Sequence, residues 1–452
     1  MQEGVLSIKE KLGFSVGEYS SSIVWQTLMF FLPVFYTDTF GISAAAVGTM
    51  FLVVRLFDAV NDPLMGTVAD NTNTRWGKFR PYILWFALPY GIAAVLMFTT
   101  PDFSDTGKLI YAYVTYGFMM VIYTAIMIPY NSMVGVITPN PDERTSVSSY
   151  KFVFAYASGV TVQYFLLPLV EGLGGGDNAL GYRLTMTIFA AVCVVCFLIT
   201  FLTSKERVKS DPAQKVDVAG DLKKLFKNKP WVVLFFVSLA TLIYVAIRSA
   251  VIIYYFQYYV GDKDAASMFM VVGTICVMLG VLPTKWLSER IGKKRLYIYS
   301  MLIVTVSSAL FMVAGTNLVV LYVLQIIFSL ASGPTMPLLW SMLADAADYG
   351  EWKNKRRNTG LVYSAATFGQ KAGFSIGGAV AMWVLAYFGY VANEVQGPGA
   401  IMGIRLSMSV FPAVVAALGT IALVYYNLDK ETLKKMEIDL RRRREAMEAA
   451  VA

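Results

Sequence analysis

Twelve long apolar runs, each bounded by a short polar segment, limit what this chain can fold into more than any other feature. They lie at 14–40, 45–69, 81–100, 108–138, 148–171 and 183–203, then at 230–260, 264–288, 295–315, 317–346, 361–391 and 402–426. A helix of roughly 20 apolar residues spans a hydrocarbon core of about 30 Å. Longer runs tilt, kink or extend past the core. The chain has 452 residues, of which 57% are hydrophobic and 15% charged, with a mean hydropathy of +0.57. Charges this few, gathered into short segments, cannot coat the two or three soluble domains that such a length implies. The expected fold class is all-α and integral to the membrane, with twelve transmembrane helices.

Lysine and arginine set the orientation. They gather in the N-terminus, the even-numbered loops and the C-terminal tail, with Lys108, Arg183, Lys263 and Arg405 on the other side. The positive-inside rule then places both termini in the cytoplasm of a multi-pass protein of the plasma (inner) membrane. The longest connection, 204–229, carries eight Lys/Arg and separates an N-terminal bundle, 1–203, from a C-terminal bundle, 230–426. The tail, 427–452, contains "RRRR" at 441–444 and reads as a basic cytoplasmic helix drawn to anionic lipid rather than to nucleic acid. After helix 2 comes "RWGKFR" (75–80), and at the matching place after helix 8 comes "RIGKKR" (290–295). That duplication predicts two pseudo-symmetric six-helix bundles related by an internal repeat.

Two further features narrow the chemistry. The chain has no histidine, which excludes histidine-ligated metals, histidine bases and histidine proton relays. Its three cysteines, Cys193, Cys196 and Cys276, sit in apolar runs, where they read as small packing residues rather than a redox or zinc pair. An enzyme is not expected.

The second apolar run contains "RLFDAVNDPLMG" (55–66). Charges at membrane depth are expensive and mark function by default. Asp58 and Asp62 are four residues apart and so share one helix face, with Arg55 one turn below and Asn61 beside the stripe. Pro63 lacks an N–H, so the Ala59 carbonyl loses its helical donor. Two carboxylates, an amide oxygen and a loosened carbonyl suit a small hard cation. Two acids so close also raise the proton affinity of one, so proton coupling stays open. An Arg55–Asp58 ion pair that only locks the helix accounts for Arg55 but not for a second acid.

These motifs carry a resemblance. "RLFDAVNDPLMGTVADNTNTRWGKFRPYILW", "YTAIMIPYNSMVGVITPNPDERT" (123–145) and "ADAADYGEWKNKRRNTG" (344–360) resemble the glycoside–pentoside–hexuronide:cation symporters, carriers of the major facilitator fold that include the melibiose carrier. The resemblance covers both halves and implies secondary active symport of a sugar, glycoside or uronide with sodium or a proton, by alternating access. It implies no cofactor beyond the coupling ion, Na+ or H+, and no partner beyond the sugar, the cation and membrane lipid, with the chain acting as a monomer. In the melibiose carrier both acids, the asparagine between them and a helix-4 threonine serve the sodium site. The matching residues here are Asp58, Asp62, Asn61 and Thr124, so sodium is expected at Asp58 and Asp62.

For the sugar, the resemblance points to helices 1, 4, 5 and 11: Glu18, Tyr19, Ser22 and Trp25; Tyr123, Met127, Tyr130 and Asn131; Lys151; and Thr367 and Lys371. Ser22 and Met127 stand where the melibiose carrier has sugar-binding aspartates, and Asn131 stands where it has a pocket tryptophan. Galactosides are therefore disfavoured. The retained bases, with Arg248 in helix 7, tilt the cavity positive and toward an anionic sugar such as a uronide, a neutral pentoside being the alternative. A carrier of another small organic or lysolipid cargo on the same fold is the competing reading. Salt bridges gating the cytoplasmic side are expected from Asp70, Arg75, Lys78, Arg80, Glu143 and Arg144, mirrored by Glu289, Arg290, Lys293, Asp345, Asp348 and Arg356.

Overall fold

A computed structural model of the chain describes residues 5–207, 225–354, 359–428 and, in the tail, 431–433, 435, 436, 438–440 and 442. Among these, twelve long helices follow one another. In the N-terminal half they are α1 (Ile8–Phe30), α2 (Ala44–Asn71), α3 (Arg80–Met97), α4 (Asp105–Val136), α5 (Pro141–Gly174) and α6 (Asn178–Thr203). In the C-terminal half they are α7 (Lys229–Tyr254), α8 (Asp264–Val281, continued by Thr284–Ile291), α9 (Lys293–Leu310), α10 (Leu318–Ser332 and Thr335–Asn354), α11 (Thr359–Tyr387) and α12 (Pro398–Met408 and Val410–Val424). No strand occurs among the described residues; Thr74 and Gly77 form a lone bridge.

Local chemistry sets the helix starts. Ser43, Ser104, Asp177 and Asn317 cap α2, α4, α6 and α10, each side-chain oxygen accepting from a first-turn N–H. Ser7 and Glu10 close α1 with a reciprocal capping box. The interruptions have local causes too. α10 breaks at Gly333 and Pro334, and α8 at Leu282 and Pro283, where proline withholds the next helical donor.

Nine stretches among the described residues are long and apolar enough to cross a membrane by length and composition. The other three expected spans are the most polar. α1 carries Glu18 and Ser20 to Ser22, α11 carries Gln370 and Lys371, and α9 opens on Lys293, Lys294 and Arg295. Along α6, Leu184, Ile188, Val192, Val195, Leu198 and Leu202 stay exposed at helical spacing. Such a stripe is unfavourable in water and neutral in lipid.

By contact the chain divides into two units. One comprises residues 1–213, 249–274 and 378–404; the other comprises 214–248, 275–377 and 405–452. In the first, α1 packs on α5 and α6, α3 on α4 and α6, and α2 on α4. This arrangement lines up one face each of α1, α2, α4 and α5. In the second, α9 packs on α10 and α12 around a core that includes Trp231, Tyr244, Tyr297, Met301, Met342 and Leu423. Here α11 approaches α7 closely: a Cβ at Gly373 or Gly377 would lie 2.6 or 2.5 Å from the Leu239 or Ile243 carbonyl oxygen. Small residues four apart let two membrane helices meet backbone to backbone.

Candidate cation and substrate site

α2 runs unbroken through Pro63, so the spacing argument for its acids holds in three dimensions. Asp58 is 3% exposed and Asp62 half-buried. The Thr124 hydroxyl of α4, itself buried, lies 2.7 Å from Asp58 Oδ1 and 3.1 Å from Asp62 Oδ1. Two carboxylates and one hydroxyl from two packed helices thus converge on one point. A hydroxyl has a single proton to donate, so it bonds one acid while presenting its lone pairs beside both. Asn61 is half-buried on the same turn. The cluster is all hard oxygen, the donor chemistry of an alkali cation. Among the described residues no group of three or more His, Cys, Asp or Glu is placed to hold a metal.

Arg55 is 6% exposed, donates from Nε to the Tyr116 hydroxyl at 2.8 Å and stacks over the Trp25 ring at 4.4 Å. Trp25 in turn lies 5.6 Å from the Tyr123 ring. The aromatic pair therefore stands next to the acids, since Tyr123 immediately precedes Thr124.

A second polar cluster sits one to two turns away along α1. Lys151 Nζ of α5 pairs with Glu18 at 3.2 Å, donates to Asn131 Oδ1 of α4 at 2.8 Å and lies 4.5 Å from the Tyr130 ring. Tyr130 is fully buried, stacks on Phe14 and donates its hydroxyl to the Phe14 carbonyl. With Phe14 stacked on it and Lys151 beside it, the ring has no exposed face in this arrangement. Tyr19 donates to Thr161 at 3.0 Å. Ser22 is half-buried one turn after Glu18, and Met127 is buried. The structure thus brings Glu18, Tyr130, Asn131 and Lys151 together, and Trp25 with Tyr123. Thr367 and Lys371 lie one turn apart on α11 in the other unit, Thr367 exposed and Lys371 half-buried. Arg248 of α7 is buried between the Phe311 and Phe328 rings and donates to Gln325 at 2.8 Å and to the Met408 carbonyl at 3.1 Å. That setting makes it a packing residue of the second unit.

Most of the residues expected to gate the cytoplasmic side are engaged within their own half. Lys293 and Asp345 pair at 2.7 Å, and Lys11 with Glu143 at 2.9 Å. Arg75 lies over Trp76 and Arg290 over Trp286, while Arg144 donates to the Thr138 carbonyl. Arg356 and the side chain of Asp70 lie outside the described residues. Arg207 holds Glu10 and the Ile137 carbonyl. Burial opposes ionisation of Glu10, but the Arg207 guanidinium and the Ser7 donors outweigh it and hold the carboxyl below its ordinary range.

Sequence reasoning missed Glu206. Its carboxylate accepts from the backbone N–H of Lys78, Phe79 and Arg80 at 2.8 to 2.9 Å, capping the start of α3. Gly77 makes room for it: its φ is +114°, and a Cβ there would collide with the carboxylate. Gly292, the matching glycine of the repeated motif, has φ +89°. The glycine of R-x-G-K-x-R is thus a turn requirement in both halves, a signal already present in the repeat.

A family profile described as MFS/sugar transport protein matches residues 13–430. YagG of Escherichia coli K12, named for glycoside/cation symport, is 37% identical over 99% of this chain and 97% of its own. The isoprimeverose transporter of Lactiplantibacillus pentosus is 38% identical, covering 98% and 93%. A glucuronide carrier protein homolog of Escherichia coli K12 is 31% identical, covering 99% and 98%. Among solved structures, the nucleoside transporter NupG aligns with a TM-score of 0.64 at 15% identity, covering 93% of this chain and 100% of that one.

Proposed function

The chain belongs to the MFS/sugar transport protein family, and from that premise we propose that it imports a neutral glycoside or pentoside together with a cation, sodium in preference to a proton. The two six-helix halves rock about the site to give alternating access, with both termini in the cytoplasm of the inner membrane and the chain working as a monomer. The observation that carries the coupling is the Thr124 hydroxyl set between Asp58 and Asp62. A desolvated sodium ion takes carboxylate and hydroxyl oxygens together, whereas a proton needs neither Thr124 nor a second acid. Asp58, Asp62, Asn61 and Thr124 are the proposed cation ligands. Binding the cation cancels the excess negative charge beside Trp25 and Tyr123, so sugar and cation favour each other's binding.

Charge balance at the second cluster supports a neutral cargo. Lys151 counts as a free positive charge in the sequence but is offset by Glu18 at 3.2 Å and also bonded to Asn131, which leaves one of its three donors. Glu18, Asn131 and Lys151 then present hydroxyl-pairing groups beside the Tyr130 ring without a net charge to attract a carboxylate. Tyr19, Ser22, Trp25, Tyr123 and Met127 complete the proposed pocket of the first half, and Thr367 and Lys371 on α11 are the proposed sugar-binding residues of the second.

Proteoliposomes with an imposed sodium gradient test this. Uptake of a neutral xyloside should exceed that of a glucuronide, with sodium required. Glu18→Gln, which uncovers the Lys151 charge, should shift the preference toward the glucuronide by about tenfold, the effect of one unscreened charge pair in a partly dry site. Equal glucuronide preference in the parent and in Glu18→Gln would overturn the assignment of this cluster to the sugar.

A further inference from the structure

α1 and α7, the first helix of each half, finish in the same way. Each passes into a single π-helical turn, Phe35–Thr39 after α1 and Tyr255–Val260 after α7. Isolated π turns sacrifice regular helical bonding and gather at functional sites. Within the first unit these two turns are bonded to each other. The Thr37 hydroxyl and the Tyr254 phenol are 2.7 Å apart. The Asp38 carboxylate accepts from the Thr37 hydroxyl at 2.6 Å, from Gln257 Nε2 at 3.4 Å, and from the phenols of Tyr258 and Tyr390. Its backbone carbonyl accepts from Asn393 Nδ2 at 2.6 Å. Asn393 also donates its N–H to the Tyr258 oxygen at 3.2 Å and holds a φ of +59°, a conformation that costs a non-glycine residue energy. The Tyr390 ring stands edge-on to Tyr254 and Tyr258, with centroids 5.2 and 5.5 Å away. One carboxylate of the N-terminal half thus collects donors from the ends of α7 and α11.

We propose that Asp38 is the latch of the gate at this end of the carrier, with Tyr258 and Tyr390 as its catch. The proposal rests on the alternating-access reading, because a carrier must part α1 from α7 and α11 to admit substrate between them. Distribution of lysine and arginine puts this end on the outer face. The chemistry of the catch suits repeated opening. A carboxylate held by neutral hydroxyls is bound strongly while dry. When the gate opens, water replaces each phenol and no counter-charge is left stranded, as it would be in a buried salt bridge. The water is at hand, because a cavity of about 740 Å³ lined by Gln257, Tyr258, Tyr259, Asn393, Glu394 and Gln396 adjoins the cluster.

The test uses a reporter cysteine below the latch. Val251 is fully buried on α7, one turn before Tyr255. In full-length carrier with Cys193, Cys196 and Cys276 replaced by serine, Val251→Cys is exposed to a membrane-impermeant maleimide on the outer side of right-side-out vesicles. Tyr258→Phe with Tyr390→Phe keeps both rings and removes both donors, and Asp38→Asn keeps the shape and removes the charge. Each should raise the labelling rate about tenfold, since a hydrogen bond to a charged group is worth at least that factor. Combining all three should add little, because they dismantle one device. Labelling that stays at the parent rate in every variant, whether or not transport falls, overturns the latch. Cation-driven sugar counterflow by the parent in the same vesicles is the separate control: its absence would count against the transport reading, while the labelling ratios would still report the gate.

Discussion

A carboxylate inside an apolar bundle survives only where donors or cations meet it, and three sites among the described residues are supplied differently. Asp58 and Asp62 share the Thr124 hydroxyl, Glu18 has Lys151, and Asp38 has phenols. The Asp58–Asp62 pair was legible in the sequence, because acids four apart in an apolar run call for an explanation, whereas the pairing of Glu18 with Lys151 was not, since the two lie on different helices and Lys151 reads there as an uncompensated base. Asp38 was equally visible within the run 14–40 but has no acidic neighbour at helical spacing, so periodicity did not single it out. Glu206 was not legible, since it reads as ordinary loop charge until the left-handed Gly77 brings three N–H groups onto it. Thr124 carries the residue-scale prediction. Removing one hydroxyl from between two carboxylates should cost about 1.5 kcal/mol of cation binding. Thr124→Ala should therefore raise the sodium concentration for half-maximal uptake by roughly tenfold, while Thr124→Ser stays near the parent. Sodium titrations at fixed sugar measure this, and an unchanged half-point in the alanine variant would remove Thr124 from the site.

At the scale of elements, hydropathy located the helices and polar residues marked their starts, because both are local properties of the chain. The breaks were less readable. Proline announces those at 283 and 334, but the π turns after α1 and α7 arise in runs with no proline or glycine at the turn itself. The bonds that join the two turns to each other come from residues more than 200 apart in sequence, which no local pattern records. The glycine of the repeated motif is the opposite case: a local signal with a tertiary consequence. Its turn must be left-handed and must leave space for Glu206. Gly77→Ala forces a Cβ into both constraints, and the backbone part alone costs about 1–2 kcal/mol. The thermal unfolding midpoint in detergent should fall, with the start of α3 losing amide-exchange protection first as the Glu206 cap is displaced. Retained protection there would mean that the cap tolerates the methyl group and that the turn, not the carboxylate, sets the need for glycine.

For the whole molecule, the sequence repeat and the contacts divide the chain differently. The repeat separates it at the connection 204–229, whereas residues 249–274 and 378–404 group by contact with the N-terminal half. A repeat records which helices correspond, and it carries no information on which helix ends touch in a given arrangement. The correspondence does, however, limit the transport stoichiometry. The register that superposes Gly77 on Gly292 also sets Asp58 and Asp62 against Gly273 and Val277 of α8. The second half has kept the turn, and even an arginine stacked on a tryptophan beside it, as Arg290 on Trp286 parallels Arg75 on Trp76. It has no acids where the first half has its pair, so duplication of the fold did not leave a second copy of the proposed cation site. One cation should accompany each sugar. Sugar uptake should then depend on sodium with a Hill coefficient near one, and the limiting accumulation should follow the first power of the sodium gradient. A squared dependence would require a second cation site outside α2 and α4, and double neutralisation at Asp58→Asn and Asp62→Asn would then leave a residual sodium response to trace it.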